Sequence, residues 1–450
     1  MPNKRISIGM WSELPLGAKW ANEGVARVVG FLVEGAAASK AYTFHLVVRR
    51  GLAPTIREDL RTLKAIEGVD WLVHEPTAEQ EARWEHKAKR ELANLPVDER
   101  KQHQTANIAL ALYANSELSV DGWIVTFPYF NASIFLNGSK AVLMPDAIPY
   151  EVPLGWIESW GSTGYWPEWR RIASSTCRAA DAVITFSKHV AERNCVELLG
   201  VDREKIHVVP LAGPDLIREL PFVRRRTKTP QSRAQAAAIL REHAAIRGLT
   251  YLRNFPFEQC SFLATATQDR PTKNLGLAAD ATERIVRRDR EPIKLFVTAP
   301  FIFGASWTRL PTVVEHRQVN RDVVSIHNLP RQVHAALFHA ASLTIHPSFY
   351  EGIIGCLPLY ESVSVGTPCL FARGPHTNEL LEAEPEFAAF AFDPNDAEGL
   401  VSLIRRTLKD TDAALETQER LCVKLRNWTW SDVATGYVTA ALAGNRRMAA

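Results

Sequence analysis

No stretch of the chain stays apolar for anything close to the ~20 residues that a membrane-spanning helix needs. The N-terminal MPNKRISIGMW has an apolar part too short for a secretory signal and runs straight into polar sequence. Cysteine is sparse: Cys177, Cys195, Cys260, Cys356, Cys369 and Cys422 are scattered with no CxxC pair. That spacing fits reduced thiols of a cytoplasmic protein and argues against a disulfide framework or a zinc site. Charge of one sign hardly predominates, and a formal +3 is too small to argue for a nucleic-acid partner. No GxGxxG follows an expected strand, which speaks against a nicotinamide-dependent dehydrogenase. Short repeats and low-complexity tracts are missing as well. What is present is an ordinary globular composition, 46% hydrophobic and 23% charged. Its 450 residues suffice for two domains, each with its own core.

Short apolar runs alternate with helical patterns, the signature of βαβ units and parallel sheets. The first series of expected strands is 6–11, 43–48, 69–73, 123–128, 141–144, 182–187 and 206–210. GVARVVGFLVEGAAAS, after the first of these, has apolar spacing that suits a helix. A long polar helical segment covers Ala78 to Asn115, and Pro96 divides it. Residues 221–235, PFVRRRTKTPQSRAQ, are basic and poor in apolar side chains, so they read as a linker. A second series follows at 261–267, 293–299, 322–326, 343–347, 368–372 and 388–392. A last helical pattern starts at Ser431, a good N-cap.

In open parallel sheets, ligands bind outside the carboxyl ends of the strands, so the loops after strands are where chemistry is expected. The stretch Ser342 to Leu370 reads as strand, Gly-punctuated loop, helix and strand. Pro358 stands near the helix start and Gly366 at its stop. Such a corner binds anions through free N–H groups, yet Glu351 and Glu361 flank it. Acids repel phosphate but accept hydrogen bonds from sugar hydroxyls, which suggests a nucleotide-sugar. In TATQDRPTKNLGL, Arg270 and Lys273 fall at a strand-to-helix turn, where two cations neutralise a diphosphate; a solvated loop pair is the alternative. Gly24 stands at a helix start after the first strand, where the backbone is able to approach a ligand closely; a simple loop glycine is the alternative. Asp146 follows the run AVLM and is either a carboxylate of a cleft or a turn cap. Trp156, Trp160, Trp166 and Trp169 come next, suited to stacking on sugars, to a membrane interface or to core packing.

Seven segments in order resemble the retaining GT-B glycosyltransferases of family 4 (glycosyl transferases group 1). They are GVARVVGFLVEG, PDAIPYEVP, ADAVITFSKHVAER, KIHVVPLAGPD, ATQDRPTKNL, LPRQVHAALFHAASLTIHPSFYEG and FDPNDAEGLVSLI. The resemblance covers nearly the whole chain. It implies an α/β GT-B fold, two Rossmann-like domains facing across a cleft. The N-terminal acceptor domain would span 1–220, a linker or inserted segment 221–258, and the C-terminal donor-binding domain 259–425. Residues 426–450 would form a helix crossing back to the N-terminal domain. By the same resemblance, Arg270 and Lys273 hold the donor diphosphate and stabilise the leaving group. Glu351 contacts the donor sugar, and Glu361 bonds the ribose hydroxyls. Gly24 and the backbone of Gly352, Ile353, Ile354, Gly355 and Leu357 complete the donor pocket. Asp146 is the acceptor-side candidate. No metal or other cofactor is implied, since cations and a helix dipole take that role.

The sequence departs from this pattern at three places. Nine residues separate Glu351 from Glu361, two more than in the family's EGFGLPLLE, with the extra residues around Ile354 and Cys356. The family's phosphate-binding Arg often lies further ahead of the Lys, which would point to Gln268. Pro145 stands where the family often has His before Asp. The implied activity is retaining transfer of a hexose from a nucleotide diphosphate sugar to a saccharide or lipid-linked saccharide acceptor, in polysaccharide or glycoconjugate synthesis. A GT-B nucleotide-sugar epimerase and a catalytically silent carbohydrate-binding protein of the same fold are the alternatives. Many relatives act on lipid-linked acceptors, and the run Arg224, Arg225, Arg226 with Lys228 suits an anionic surface. The expected location is therefore the cytoplasm, with peripheral contact at the inner face of the membrane as a further expectation.

Overall fold

The computed structural model describes residues 5–14, 24–101, 103–153, 165–301, 310–425 and 427–445. The chain forms two compact units. The first contains Met1–Ala147, Gly164–Ala212 and Trp428–Ala450. The second contains Gly213–Asn427 and the short helix Ile148–Glu151.

The first unit is built on seven strands: β1 (Ile6–Trp11), β2 (Tyr42–Val47), β3 (Trp71–His74), β4 (Gly122–Val125), β5 (Lys140–Leu143), β6 (Ala182–Thr185) and β7 (Ile206–Val208). Their order is β3-β2-β1-β4-β5-β6-β7, with every neighbouring pair parallel. β4 and β6 are buried throughout, as strands covered on both faces must be. Gly24 opens the helix Gly24–Ser39, while the loop before it lies outside the described residues. Pro96 closes the helix Ala78–Asn94, and the next long helix, Thr105–Glu117, packs against it. Trp156, Trp160 and the side chain of Trp166 lie outside the described residues, and Trp169 is buried.

The last helix, Trp430–Ala441, packs on the helix Gly24–Ser39 and on β4, β5 and β6 of this unit. Its cap is Thr429, not Ser431. Thr429 Oγ1 accepts the Asp432 N–H, and the Asp432 carboxylate accepts the Thr429 N–H, a reciprocal pair that Ser431 has no equivalent of. Trp430 stacks on Phe31 with ring centroids 4.2 Å apart.

The second unit carries β8 (Ser261–Thr265), β9 (Ile293–Val297), β10 (Val323–Ser325), β11 (Leu343–His346), β12 (Cys369–Ala372) and β13 (Ala391–Phe392). Their order is β10-β9-β8-β11-β12-β13, again parallel. Successive side chains of β8 alternate between two cores. Leu263 joins a cluster with Leu295, Ile345 and Leu370, and Phe262 joins another with Phe257, Phe296 and Phe338. The chain leaves β8 toward β9 and β10, then returns to lay down β11 on the other side. The topological switch point therefore falls between β8 and β11, where a sheet of this kind opens a crevice at its carboxyl edge.

Residues 221–258, expected as a linker or an inserted segment, belong to the second unit. Thr229 and Ser232 form a capping box, Pro230 takes the first helical position, and the helix Pro230–Ile246 follows. Ala236, Ala237, Leu240 and Ala244 bury one face of it beside Phe255 and Phe257. Three of its four buried apolar residues are alanine, which lets the helix lie close to its neighbours but gives little hydrophobic signal. Pro230, inside the stretch that reads as a linker, is here a helix start.

Candidate active site

Two loops flank the switch point, and a backbone bond joins them: Phe349 N–H donates to the Thr272 carbonyl at 3.0 Å. The first loop leaves β8 and tightens into a turn over Pro271–Lys273. Asn274 then takes a left-handed conformation (φ 51°) and starts the helix Leu275–Glu283. Asn tolerates that conformation better than most residues. Its side-chain amide donates to the Pro394 carbonyl at 2.8 Å, which holds the turn in place. The second loop leaves β11 through Pro347 and reaches Glu351.

Here the structure brings together Lys273, Glu351 and a residue that the sequence reading passed over, His346. Lys273 Nζ lies 2.6 Å from Glu351 Oε1, and His346 Nε2 lies 3.0 Å from the same oxygen. Burial pushes the Glu351 carboxyl up, but the charge of Lys273 and the hydrogen bond from His346 outweigh it. The carboxyl is held well below the usual carboxylate range. An ionised carboxylate and an ammonium therefore stand side by side at the carboxyl edge of the sheet. His346 is the last residue of the apolar run LTIH, and a polar side chain ending a buried strand is the signal that was available for it.

Arg270 is placed differently. Its side chain is exposed and, with Asn274, Asp280, Arg317, Tyr350 and Asn395, lines a cavity of about 860 Å³. Lys273, Glu351 and Glu361 are not among the described residues that line it. Gln268, the other candidate for the phosphate-binding position, is exposed too.

Glu361 lies in the helix Leu357–Ser364, with Pro358 in its first turn. Its side chain is buried, and Oε2 is 3.7 Å from His334 Nε2. The helix stops where expected: Gly366 has φ +84°, and a Cβ there would lie 2.0 Å from the Arg226 carbonyl oxygen. The enlarged loop before this helix is anchored. Ile354 and Cys356 pack against the hydrophobic core, and Ile353 is half-buried. Gly355, at φ +70°, donates its N–H to the His376 carbonyl at 2.6 Å, so that N–H is already engaged. Gly352 is buried and Leu357 begins the helix. Asp146 and Gly24 belong to the first unit, Asp146 half-buried just past the end of β5.

Residues 256–426 match the family model described as glycosyl transferases group 1. This stretch is a glycosyltransferase domain. It contains β8 to β13, Lys273, Glu351 and Glu361. Solved structures agree on the fold. Sucrose-phosphate synthase from Thermosynechococcus elongatus superposes with a TM-score of 0.65 at 14% identity, covering 99% of this chain and 100% of its own. HepE of Anabaena, in complex with UDP and glucose, gives 0.64 at 13% identity, covering 99% and 100%. The α,α-trehalose 6-phosphate synthase of Burkholderia multivorans gives 0.59 at 13% identity, again over 99% and 100%. No curated protein matches the sequence. The glycosyltransferase has the two-domain, Rossmann-like GT-B fold.

Proposed function

We propose that this glycosyltransferase moves a hexose from a nucleotide diphosphate sugar to an acceptor hydroxyl, with retention at the anomeric carbon. The observation that carries the reading is the Lys273–Glu351 pair at the switch point of the second sheet. A lone cation suits a diphosphate, and a lone carboxylate suits sugar hydroxyls; adjacent, they suit a molecule that contains both. Neighbours of the same fold solved with UDP and glucose, and with UDP-glucose, support a donor of this class. In this reading Lys273 and the exposed Arg270 neutralise the diphosphate and stabilise the charge that develops on it as the sugar leaves. Glu351 accepts from a sugar hydroxyl and Glu361 from the ribose. Gly24 and the backbone from Gly352 to Leu357 border the donor, except that the Gly355 N–H is held elsewhere. The leaving diphosphate helps to deprotonate the acceptor from the same face, and the chain needs no metal or other cofactor for this. Asp146 is the acceptor-side carboxylate.

The acceptor we propose is a saccharide or a lipid-linked saccharide, in polysaccharide or glycoconjugate synthesis at the cytoplasmic face of a membrane. Arg224 and Arg225 are exposed, which supports peripheral contact with an anionic surface. Among the described residues, no helix is long and apolar enough to cross a membrane. A panel of UDP-, GDP- and ADP-sugars, followed for nucleotide release and for the anomeric configuration of the product, tests the reading. Release of nucleotide with an α-linked product from an α-linked donor is expected. An inverted product removes retention, an isomerised free donor favours an epimerase, and binding without turnover on any acceptor favours a silent carbohydrate-binding protein.

A further inference from the structure

The roles proposed above leave a buried histidine at the site without a task. His346 is the last residue of β11 and is 3% exposed. Its Nε2 faces Glu351 Oε1, and its Nδ1 is buried with no hydrogen-bond partner. A ring nitrogen that meets a carboxylate oxygen carries the proton, so Nε2 is the donor. An unpartnered buried polar atom loses the hydrogen bonds that water would give it and gains none in return. An aliphatic residue would continue the apolar run of β11 without that cost. Strand packing alone therefore gives no reason for a histidine here.

The two partners of Glu351 differ in mobility. Lys273 reaches it on a flexible four-carbon stem from a surface turn, and its side chain keeps 16% exposure. His346 has two side-chain torsions and is enclosed at the end of a central strand. Both bonds end on Oε1, and Oε2 accepts none from the described residues. When an anion draws Lys273 away, the histidine is the partner that stays.

We infer that His346 is a positioning residue: it pins Glu351 through Oε1 and keeps Oε2 turned toward the donor sugar while Lys273 exchanges its carboxylate for the diphosphate. This rests on the donor-site reading above. The carboxylate works only if it is held to within a fraction of an ångström, and loss of such placement costs up to about a hundredfold in rate. His346 touches neither sugar nor phosphate. Its effect belongs to the sugar part of the donor and not to the nucleotide part.

The experiment compares His346→Leu and His346→Gln with wild type in two measurements. One is kcat/KM for the best donor in the sugar panel. The other is the Kd of the matching nucleoside diphosphate, which has no sugar. His346→Leu should lower kcat/KM by tenfold or more and change the Kd of the diphosphate by less than threefold. His346→Gln, whose amide N–H reaches about as far as Nε2–H, should recover most of the lost activity. The inference is overturned if His346→Leu keeps kcat/KM within twofold of wild type. It is equally overturned if kcat/KM and the affinity for the diphosphate fall together, or if the Gln variant is no better than the Leu variant, since either marks a purely structural role. A circular-dichroism melt shows that each variant is folded; should His346→Leu not fold, the Gln variant alone decides, by keeping more than a tenth of wild-type kcat/KM at unchanged diphosphate affinity or failing to. A wild type that neither binds nor turns over any donor overturns the donor-site reading, and this inference with it. An active wild type with an active His346→Leu variant overturns the inference alone.

Discussion

An ammonium has three N–H donors, and Lys273 gives one of them to Glu351. That ammonium is what a diphosphate would draw to itself, so Lys273→Ala should remove electrostatic stabilisation of the leaving group without disturbing the sheet. Losses of about 10²–10³ in kcat are the usual effect of deleting one such donor. Arg270 is exposed and one turn away, so Arg270→Ala should cost less, and a matched pair of kinetic measurements would rank the two. In the first unit, Glu13 gives a pH signature of its own. Trp11 Nε1, Asn107 Nδ2 and the Ala132 N–H all donate to its carboxylate. Burial nevertheless pushes its pKa up from 4.5 to about 7, with those bonds and the charge of Arg49 only partly offsetting the burial. A raised carboxyl pKa means that folding carries no penalty below about 4.5, where both states are protonated. The penalty grows as the pH rises and levels off above about 7, at about 3 kcal/mol. Glu13→Gln should lose that slope, so unfolding midpoints of the variant relative to wild type should climb between pH 5 and 8. A constant offset across that range would contradict this.

Elements here begin and end on a few identifiable residues, and two of these predict stability changes. Gly366 closes the helix that carries Glu361. Gly366→Ala would need a positive φ and a Cβ inside the contact distance of the Arg226 carbonyl, so a loss of about 2 kcal/mol or more is expected in denaturant unfolding. Thr429→Ala removes half of the capping box of the last helix and should cost about 1 kcal/mol. Ser431→Ala, at the position where the sequence pattern alone suggests the cap, should cost little. The contrast shows what was legible at this scale. Strands such as Ile6–Trp11 and Leu343–His346 are apolar runs bounded by polar or proline residues, and the sequence marks them clearly. The helix Pro230–Ile246 gives a weak pattern because three of its four buried apolar residues are alanine. The last strand was overextended, because Ala388 to Phe390 belong to a 3-10 turn that is just as apolar as a strand.

At the scale of the whole molecule, the alternation of strands and helices was enough to reach two parallel sheets, and the order of motifs was enough to reach the GT-B fold. The candidate site was legible in part. Lys273 and Glu351 are 78 positions apart, and their meeting follows from the switch point between β8 and β11, which is a property of strand order that no local pattern displays. His346 was passed over because one imidazole at the end of an apolar run has no distinctive spacing. Around the two residues added between Glu351 and Glu361, Ile354 and Cys356 take the loop into the core. Surface charge gives a further expectation: co-sedimentation with liposomes should increase with anionic lipid and fall in Arg224→Glu/Arg225→Glu, and binding that ignores lipid charge would contradict the proposed membrane contact. The central claim is that Lys273 and Glu361 belong to one nucleotide-sugar site. Its most direct measurement is nucleotide release from the preferred donor by wild type, Lys273→Ala and Glu361→Ala under one set of conditions. Turnover by wild type and loss of at least a hundredfold in kcat/KM in both variants is the result predicted; turnover that survives both substitutions would contradict it.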